Sequence, residues 1–374
     1  MERTELVGLT TQLVETPSHD DETAAGDQIV SWLRNETDAI VERDDAGNVI
    51  ARRDTKPVDA TGAAGSLALV GHHDVVAPAD QQVDADGEYL IAERDGRLFG
   101  RGTADMKGSL AAAMLAFRDA DLVAENDADL VFASFVGEEQ GGVGARAAIA
   151  DGFVPDRAII TEGSTGYSAD GVVDVAVAHK GRRGSTLVAS GTAGHASRPD
   201  AADNAIYRAC DAIDVVRSLD APEATVLDTA LSGSVAVTEI DGGSAWNVIP
   251  DRCAVTIDER TVPGERVDLD AVESVAGVEW RVDQDLPPMA CGDSAFADQV
   301  LAAAAAAQSG EPELVAKPHA TDAGWLAAAG TDCVVCGAAE PGEAHTADES
   351  VSIDVLERCY EIYRRAAASP PPRR

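Results

Sequence analysis

Basic residues are scarce in this chain of 374 residues, in which 29 lysines and arginines stand against 66 aspartates and glutamates and leave a net charge of -37. A surface so rich in carboxylates repels phosphates, so neither nucleic acid nor an anionic membrane is expected as a partner. The composition suits a protein that stays soluble in concentrated salt, where screening shortens the reach of self-repulsion. It therefore predicts a halophilic origin, with an ordinary acidic protein as the alternative.

Long apolar runs are also lacking. No segment is apolar over a length that spans a bilayer, and the start MERTELVGLT has no signal-peptide apolar region. We therefore expect an intracellular, cytoplasmic protein, in which the six scattered cysteines stay reduced. The CVVC motif of Cys333 and Cys336 could be half of a zinc site or a redox pair. No second CxxC accompanies it, and its apolar surroundings favour buried cysteines on a strand.

Apolar periodicity predicts an α/β protein with an inserted domain. In residues 1–178, helical stretches alternate with apolar strands such as GSLALVGHHDV, which is typical of a mostly parallel sheet covered by helices. Residues 179–291 change to strands of alternating polarity around a helix, and they predict a small inserted α+β domain. The α/β pattern resumes over residues 292–374, whose Pro-rich tail 369–374 is expected to be disordered.

The stretch LVGHHDVV places two histidines and an aspartate at the end of an apolar strand. Side chains alternate between the faces of a strand, so His72 and Asp74 share a face and His73 points the other way. A histidine beside a carboxylate can bind a metal ion while the carboxylate fixes its tautomer. Alone this signal is weak, because a structural histidine with satisfied hydrogen bonds has the same pattern.

Further ionisable residues end other strands or border glycine-rich loops. They are Asp105 in GRGTADMKG, Glu138 and Glu139 in FVGEEQGG, Glu162 in IITEGS and His345 in PGEAHTADES. Functional groups gather where the strands of such sheets end, so we expect these side chains to lie together. Massed carboxylates repel one another and take up protons unless cations neutralise them. Two divalent metal ions would do so, and mixed imidazole and carboxylate donors suit zinc.

These motifs resemble those of the co-catalytic zinc aminoacylases and carboxypeptidases, a family that includes acetylornithine deacetylase, succinyl-diaminopimelate desuccinylase and bacterial glutamate carboxypeptidase. The resemblance covers nearly the whole chain, because the motifs follow the family's order: GHHDVV, GRGTADMKG, GEEQGG, TEGS, GTAGHASRP, NVIPD, DERTVPGE and EAHTADES. It implies a zinc-peptidase-like catalytic domain, into which an α+β sandwich that serves as lid and dimerisation domain is inserted.

The resemblance also implies a role for each matched residue of the catalytic domain. Two metal ions would be bound. His72 and Glu162 would be ligands of the first ion, Glu139 and His345 of the second, and Asp105 would be a ligand of both. Asp74 would orient His72. Glu138 would be the general base, a role that needs a carboxylate near the bridging water and free of metal. Zinc is favoured, with cobalt or manganese as alternatives. Two such ions lower the pKa of a water that they share.

Three residues of the inserted domain match the family as well. His195 in GTAGHASRP would reach the active site of the partner subunit in a homodimer and stabilise the tetrahedral oxyanion. Asn247 in WNVIPD and Arg260 in DERTVPGE match positions that hold the substrate, and arginine suits a bidentate grip on a carboxylate.

The expected activity is metal-dependent hydrolysis of the amide bond in a small N-acyl amino acid, of the acetylornithine deacetylase or succinyl-diaminopimelate desuccinylase type. A dipeptidase or carboxypeptidase would use the same chemistry with a different pocket and take a dipeptide. His319 in KPHATDAG stands where the family usually has a loop of small residues, and this departure leaves the substrate open. A relative that only binds metal or peptide would lack Glu138 or a metal ligand, and none is missing here.

Overall fold

The computed structural model describes residues 1–53, 65–121 and 128–368, so the predicted disordered tail lies outside the described residues. The chain divides into two compact units. The first, here called the main unit, consists of Met1–Ala178, Ala290–Lys317 and Thr321–Arg374. The second, here called the inserted unit, consists of His179–Met289 and Pro318–Ala320. Within the described ranges, no helix is both long enough and apolar enough to cross a membrane.

Helices and strands alternate along the first part of the main unit. In chain order they are α1 (Arg3–Glu15), α2 (Thr23–Glu36), β1 (Ile40–Arg43), β2 (Val49–Arg53), β3 (Gly65–His72), β4 (Ala92–Arg94), β5 (Arg97–Phe99), α3 (Gly108–Asp119), β6 (Ala128–Phe135), α4 (Val143–Ala150), β7 (Arg157–Ile160) and β8 (Val175–His179).

Strands dominate the inserted unit, and the α/β alternation returns after it. The inserted unit contains β9 (Gly181–Ser190), β10 (Gly194–His195), α5 (Ala205–Ser218), β11 (Glu223–Val226), β12 (Thr229–Ser232), β13 (Ser234–Gly242), β14 (Val248–Ile249), β15 (Arg252–Thr261) and β16 (Val278–Leu286). The chain then forms β17 (Met289–Ala290), α6 (Ser294–Ala307), β18 (Leu314–Lys317), α7 (Ala323–Ala328), β19 (Asp332–Val335), β20 (Ser350–Ser352) and α8 (Ile353–Ala368).

A nine-stranded sheet forms the centre of the main unit, in the order β1-β2-β6-β3-β7-β19-β8-β17, with β18 paired to β8. Its middle strands β6, β3, β7 and β19 run parallel, while β1, β2 and β8 join antiparallel on either side. Strand β7 is buried along its whole length, as expected for a parallel strand covered on both faces. The predicted α/β class with a mostly parallel sheet is confirmed.

Helix α3 anchors the loop that precedes it. Every side chain from Leu110 to Phe117 is buried, because α1 and α8 both contact this helix while it also lies against the sheet. Burial of each large apolar side chain contributes about 1.5–3 kcal/mol. The loop carrying Asp105 therefore begins at β5 and ends at a helix that has little freedom to move.

The inserted unit is built on a four-stranded antiparallel sheet in the order β13-β15-β9-β16. Burial alternates residue by residue along β9 and β15, since one face of the sheet is covered and the other is not. Helix α5 packs on the covered face through Ala205, Ala209, Ala212 and Val216. Small alanine side chains let the helix approach closely to Leu187 and the other apolar residues of the strands.

Candidate metal centre

Parallel strands end at one edge of the sheet, and the predicted donors follow these ends. His72 is the last residue of β3 and lies opposite Phe135 at the end of β6, so the turn with Glu138 and Glu139 begins beside it. Glu162 follows β7, which is also paired with β3. The register thus brings residues that are 90 positions apart in the sequence to the same place.

One group of donors consists of His72, Asp105 and Glu162. The Nε2 atom of His72 lies 3.1 Å from Asp105 Oδ1 and 3.1 Å from Glu162 Oε1. Its Nδ1 atom lies 3.0 Å from the backbone oxygen of Asp74, so Nδ1 carries the proton in the neutral ring. The lone pair of Nε2 therefore points at the two carboxylates, and one donor atom from each residue lies within 4.8 Å of the others.

A second group consists of Asp105, Glu139 and His345. The Nε2 atom of His345 lies 2.7 Å from Glu139 Oε1 and 3.1 Å from Asp105 Oδ2. The two groups share Asp105, which presents Oδ1 to one histidine and Oδ2 to the other. Each group offers one imidazole and two carboxylates, and three protein donors with an open position are typical of catalytic zinc sites. The donor chemistry thus fits two divalent ions held side by side.

Asp74 connects both groups. Its carboxylate accepts hydrogen bonds from the backbone N–H groups of Glu138 at 3.1 Å and Glu139 at 3.0 Å. The same carboxylate lies 3.2 Å from Nδ1 of His72, on the opposite side of the ring from the other donors. Asp74 therefore holds the imidazole of the first group and the turn that carries Glu139 of the second.

The electrostatics show how strongly these groups interact. Burial opposes the ionisation of Asp105, but hydrogen bonds from His345 and His72 lower its pKa below the usual range. The same bond to Asp105, together with one to Glu139, raises the pKa of His345 to about 10. The two imidazoles therefore act as cations towards the carboxylates. Metal ions would replace these protons, since a ligating histidine must be neutral.

Glu138 lies beside the two groups but belongs to neither. It follows the buried end of β6, and its side chain is only partly exposed. Removal from water raises the pKa of Glu138 well above its usual value, and the nearby carboxylates of Asp322 and Glu162 raise it further. A carboxylate with a raised pKa beside candidate metal ligands has the chemistry of a general acid–base group.

Two acidic residues at this edge were missed by the sequence reasoning. Asp322 precedes α7 and is buried, yet neither of its carboxylate oxygens has a hydrogen-bond partner among the described residues. Burial, with Asp74 and Glu162 nearby, raises its pKa to about 7. In the sequence it resembles an ordinary helix cap, so nothing distinguished it. Glu349 is buried behind Asp105, and its place four residues after His345 was the available signal.

His73 is a structural residue, as the strand alternation predicted. It is buried, and its Nδ1 lies 2.8 Å from Oγ of Ser134 on the neighbouring strand β6. Burial lowers the pKa of His73 to about 3, so the ring is neutral. Cys333 and Cys336 are also buried and free, which confirms the prediction of core cysteines.

In the inserted unit, His195 lies on the short strand β10, and Asn247 directly precedes β14, the strand that pairs with it. His195 on β10 pairs with Val248 on β14, and the backbone oxygen of Asn247 accepts a hydrogen bond from the next residue of the histidine loop. The backbone N–H of Ser197 donates to Nδ1 of His195 at 3.2 Å. Nε2 therefore carries the proton of the neutral ring, and the exposed side chain is able to donate a hydrogen bond.

Arg260 is not brought beside this pair. It lies near the end of β15, and its Nε donates to Oδ1 of Asp258 at 2.8 Å. His195 and Asn247 lie by the start of the same strand, where Arg252 pairs with the residue that precedes the histidine loop. At about 3.3 Å per residue, the strand separates Arg252 from Arg260 by roughly 26 Å.

The fold and the donor groups together define a candidate metal-dependent hydrolase, and comparison with known proteins agrees. Residues 68–369 match the model of peptidase family M20/M25/M40. The chain is 30% identical over 324 residues to the acetylornithine deacetylase of Myxococcus xanthus, and this alignment covers 81% of this chain and 80% of the relative. It is also 30% identical over 329 residues to the succinyl-diaminopimelate desuccinylase of Novosphingobium aromaticivorans, which covers 81% of both chains.

Among solved structures, aminopeptidase PepT of Bacillus cereus is similar over 98% of both chains, with a TM-score of 0.78 and 20% sequence identity. At this identity the likeness shows a shared fold. The chain belongs to peptidase family M20/M25/M40, and it is a hydrolase that acts on amide bonds.

Proposed function

We propose that this protein hydrolyses the amide bond of a small N-acyl amino acid, as an acetylornithine deacetylase or a succinyl-diaminopimelate desuccinylase does. One observation carries the proposal: Asp105 is shared by two donor groups, and Glu138 lies next to them without belonging to either. The two curated relatives that act on N-acyl amino acids match four fifths of the chain and support a deacylase.

We assign two divalent metal ions to the two groups, His72, Asp105 and Glu162 at one and Asp105, Glu139 and His345 at the other. Imidazole and carboxylate donors favour zinc, with cobalt or manganese as alternatives. When bound, such ions supply a Lewis acid for the carbonyl and lower the pKa of a nearby water.

Glu138 is the proton carrier of the proposed reaction. Its carboxylate takes a proton from the water whose oxygen attacks the carbonyl carbon, and it returns that proton to the amide nitrogen as the carbon–nitrogen bond breaks. The raised pKa of Glu138 favours the second step, because a carboxyl group that holds its proton more firmly than usual keeps it until the leaving nitrogen takes it.

His195 stabilises the negative charge that develops on the carbonyl oxygen. Its Nε2–H is free to donate because Nδ1 accepts from Ser197. Asn247, next to it in the structure, would hold the substrate, and Arg260 would bind a substrate carboxylate once it is released from Asp258.

A homodimer accounts for the separation within the inserted unit. His195 and Asn247 lie by the start of β15 and Arg260 near its end, and the strand spans about 26 Å from Arg252 to Arg260, which is longer than one small substrate. If His195 and Asn247 serve the partner subunit, a substrate contacts each group from a different copy. Sedimentation of the purified protein tests this, and a monomer that hydrolyses the substrate would contradict the assignment.

The substrate is tested with purified protein loaded with zinc, cobalt or manganese, in high and low salt. N-acetylornithine, N-succinyl-diaminopimelate, other acetylated amino acids and dipeptides are compared side by side. We expect the highest kcat/KM for an N-acyl amino acid. Preference for dipeptides would instead identify a dipeptidase or carboxypeptidase, and metal binding without turnover of any substrate would identify a binding protein.

Glu138→Gln is the companion variant. Loss of a general base lowers kcat by about 10²–10⁴-fold, while the amide side chain leaves both metal groups intact. Gln140→Ala, an exposed position on the same turn, is the matched control and should keep full activity. A normal kcat for Glu138→Gln would contradict the assignment of Glu138.

A further inference from the structure

The loops that carry Asp105 and His345 are joined at their base. The loop of Asp105 leaves strand β5, and the loop of His345 leads into strand β20. These two strands pair antiparallel, with Phe99 opposite Ser350. The backbone N–H of Gly100 also donates to the oxygen of Glu349 at 3.1 Å. The pairing of β5 with β20 thus joins the two loops that carry Asp105 and His345, although these residues are far apart in the sequence.

An inner ion pair connects the two loops above this ladder. Arg101 of the first loop donates through Nη1 to Oε2 of Glu349 in the second, and both side chains are buried. The other oxygen of Glu349, Oε1, accepts hydrogen bonds from the backbone N–H groups of Ala104 at 3.0 Å and Asp105 at 3.2 Å. The carboxylate of Glu349 therefore holds the backbone of a metal ligand directly.

An outer ion pair repeats the arrangement on the other side of His345. Arg97 on β5 contacts Glu343 through Nη2, and it also donates to Oγ of Ser350 at 3.0 Å and to its backbone oxygen at 3.1 Å. Glu343 in turn accepts from the backbone N–H of Glu340 at 2.9 Å. Both ends of the segment that contains His345 are therefore tied to the strand and loop that lead to Asp105.

His345 itself has little else to fix it. Its side chain is 48% exposed, so packing does not hold it in place. Its backbone has a φ of 61°, a left-handed conformation that a residue with a Cβ rarely adopts without support. The position of its imidazole is consequently set by the backbone on either side, where Glu343 and Glu349 are attached.

We propose that the pairs Arg101–Glu349 and Arg97–Glu343 are positioning residues that set the distance between Asp105 and His345 for the second metal ion. The proposal rests on the function proposed above, in that it requires these two residues to bind metal. A buried ion pair gains little stability over apolar residues of the same volume. Positioning of the ligands explains why Arg101 and Glu349 are placed where burial removes them from water.

The test is a zinc titration of the metal-free protein, by calorimetry and by competition with a chromogenic chelator. In Glu349→Gln the side chain keeps its shape but loses the charge that holds Arg101. Loss of a residue that orients a metal ligand typically weakens metal binding by about 10–100-fold. Glu349 holds Asp105 and lies four residues from His345, so it affects two of the three donors of the second group but only Asp105 of the first. We therefore expect one zinc ion to bind about 10–100-fold more weakly and the other to be affected less. The double variant with Arg101→Met should add little to this loss.

Asp293→Asn is the matched control. Asp293 is also buried and paired with an arginine, Arg157, at 2.9 Å, and it lies in the same unit. Arg157 begins β7, at the opposite end of that strand from Glu162. The control should lower the melting temperature of the metal-free protein as Glu349→Gln does, and it should leave both zinc affinities unchanged.

Equal zinc affinities for Glu349→Gln and the wild type would overturn the proposal, as would an equal loss in both variants. If Glu349→Gln does not fold, Arg97→Gln breaks the more exposed pair, and a loss of about 10-fold in the affinity of one ion, the lower end of the same range, is expected there. Zinc affinity is measured without substrate. A wild type that binds two zinc ions but cleaves no amide would therefore refute the proposed function alone, and one that binds fewer than two would refute both.

Discussion

Replacement of Asp74 by asparagine tests the connection between the two donor groups. The carboxylate of Asp74 holds the N–H groups of Glu138 and Glu139 through separate oxygens, and it faces the imidazole of His72. Asparagine has one oxygen in place of two, and its NH₂ group would face an N–H donor. At least one of the two backbone hydrogen bonds is therefore lost, together with the negative charge behind His72.

These contacts determine the expected losses of unfolding free energy and of zinc affinity. A hydrogen bond to a charged group contributes about 1.5–3 kcal/mol, so the metal-free variant should lose about that much free energy of unfolding. Loss of a residue that orients ligands typically weakens metal binding about 10–100-fold, or about 1.4–2.8 kcal/mol. Since Asp74 contacts a ligand of each group, both zinc affinities should fall, whereas Glu349→Gln is expected to affect mainly one.

Zinc titration and urea denaturation of the metal-free protein provide the two measurements. Asp174→Asn is the control, because Asp174 is equally buried and also holds backbone N–H groups, at Tyr167, Ser168 and Glu313, none of which is a proposed ligand. It should lose stability and keep its zinc affinities. If Asp74→Asn binds both zinc ions as tightly as the wild type, Asp74 does not orient the ligands and the reasoning fails.

Three further predictions concern other parts of the chain. His195→Ala should lower kcat by about 10²–10³-fold at unchanged zinc content, because it removes one donor to the oxyanion; release of zinc would instead show that His195 is a ligand. A thiol reagent should label only the exposed Cys210 in the folded protein, and rapid reaction of any other cysteine would show that the buried thiols are accessible. Dialysis into low salt should unfold the protein, as followed by circular dichroism, because repulsion among the excess carboxylates is then unscreened; a folded, active protein in low salt would contradict the halophilic interpretation.

Strand alternation was enough to separate His72 from His73. The period of two is a property of the backbone, so it survives whatever packs on either face. The ends of parallel strands likewise predicted that Glu139 and Glu162 would lie at the same edge of the sheet as His72, because the strands that precede these residues run parallel. Local geometry and sheet topology are thus readable from apolar patterns.

Other contacts depend on which strands pair after long intervening stretches of sequence. Apolar patterns do not specify that pairing. Nothing in the sequence indicated that Glu349 would bond to the backbone of Asp105, 244 residues away, because that contact depends on β20 pairing with β5. Asp322 was missed because its oxygens face buried surroundings that only the folded chain creates. The motif around Arg260 did not indicate how far this residue lies from His195, which depends on the length of β15.

The place of β19 in the sheet determines the order in which the centre can be completed during synthesis. His72, Asp105, Glu139 and Glu162 all precede the inserted unit, but β19 comes after it and lies between β7 and β8. A growing chain that has not reached residue 332 therefore lacks the strand that lies between β7 and β8 in the finished sheet. His345 follows β19, so the second group gains its imidazole after the four other donors have been made.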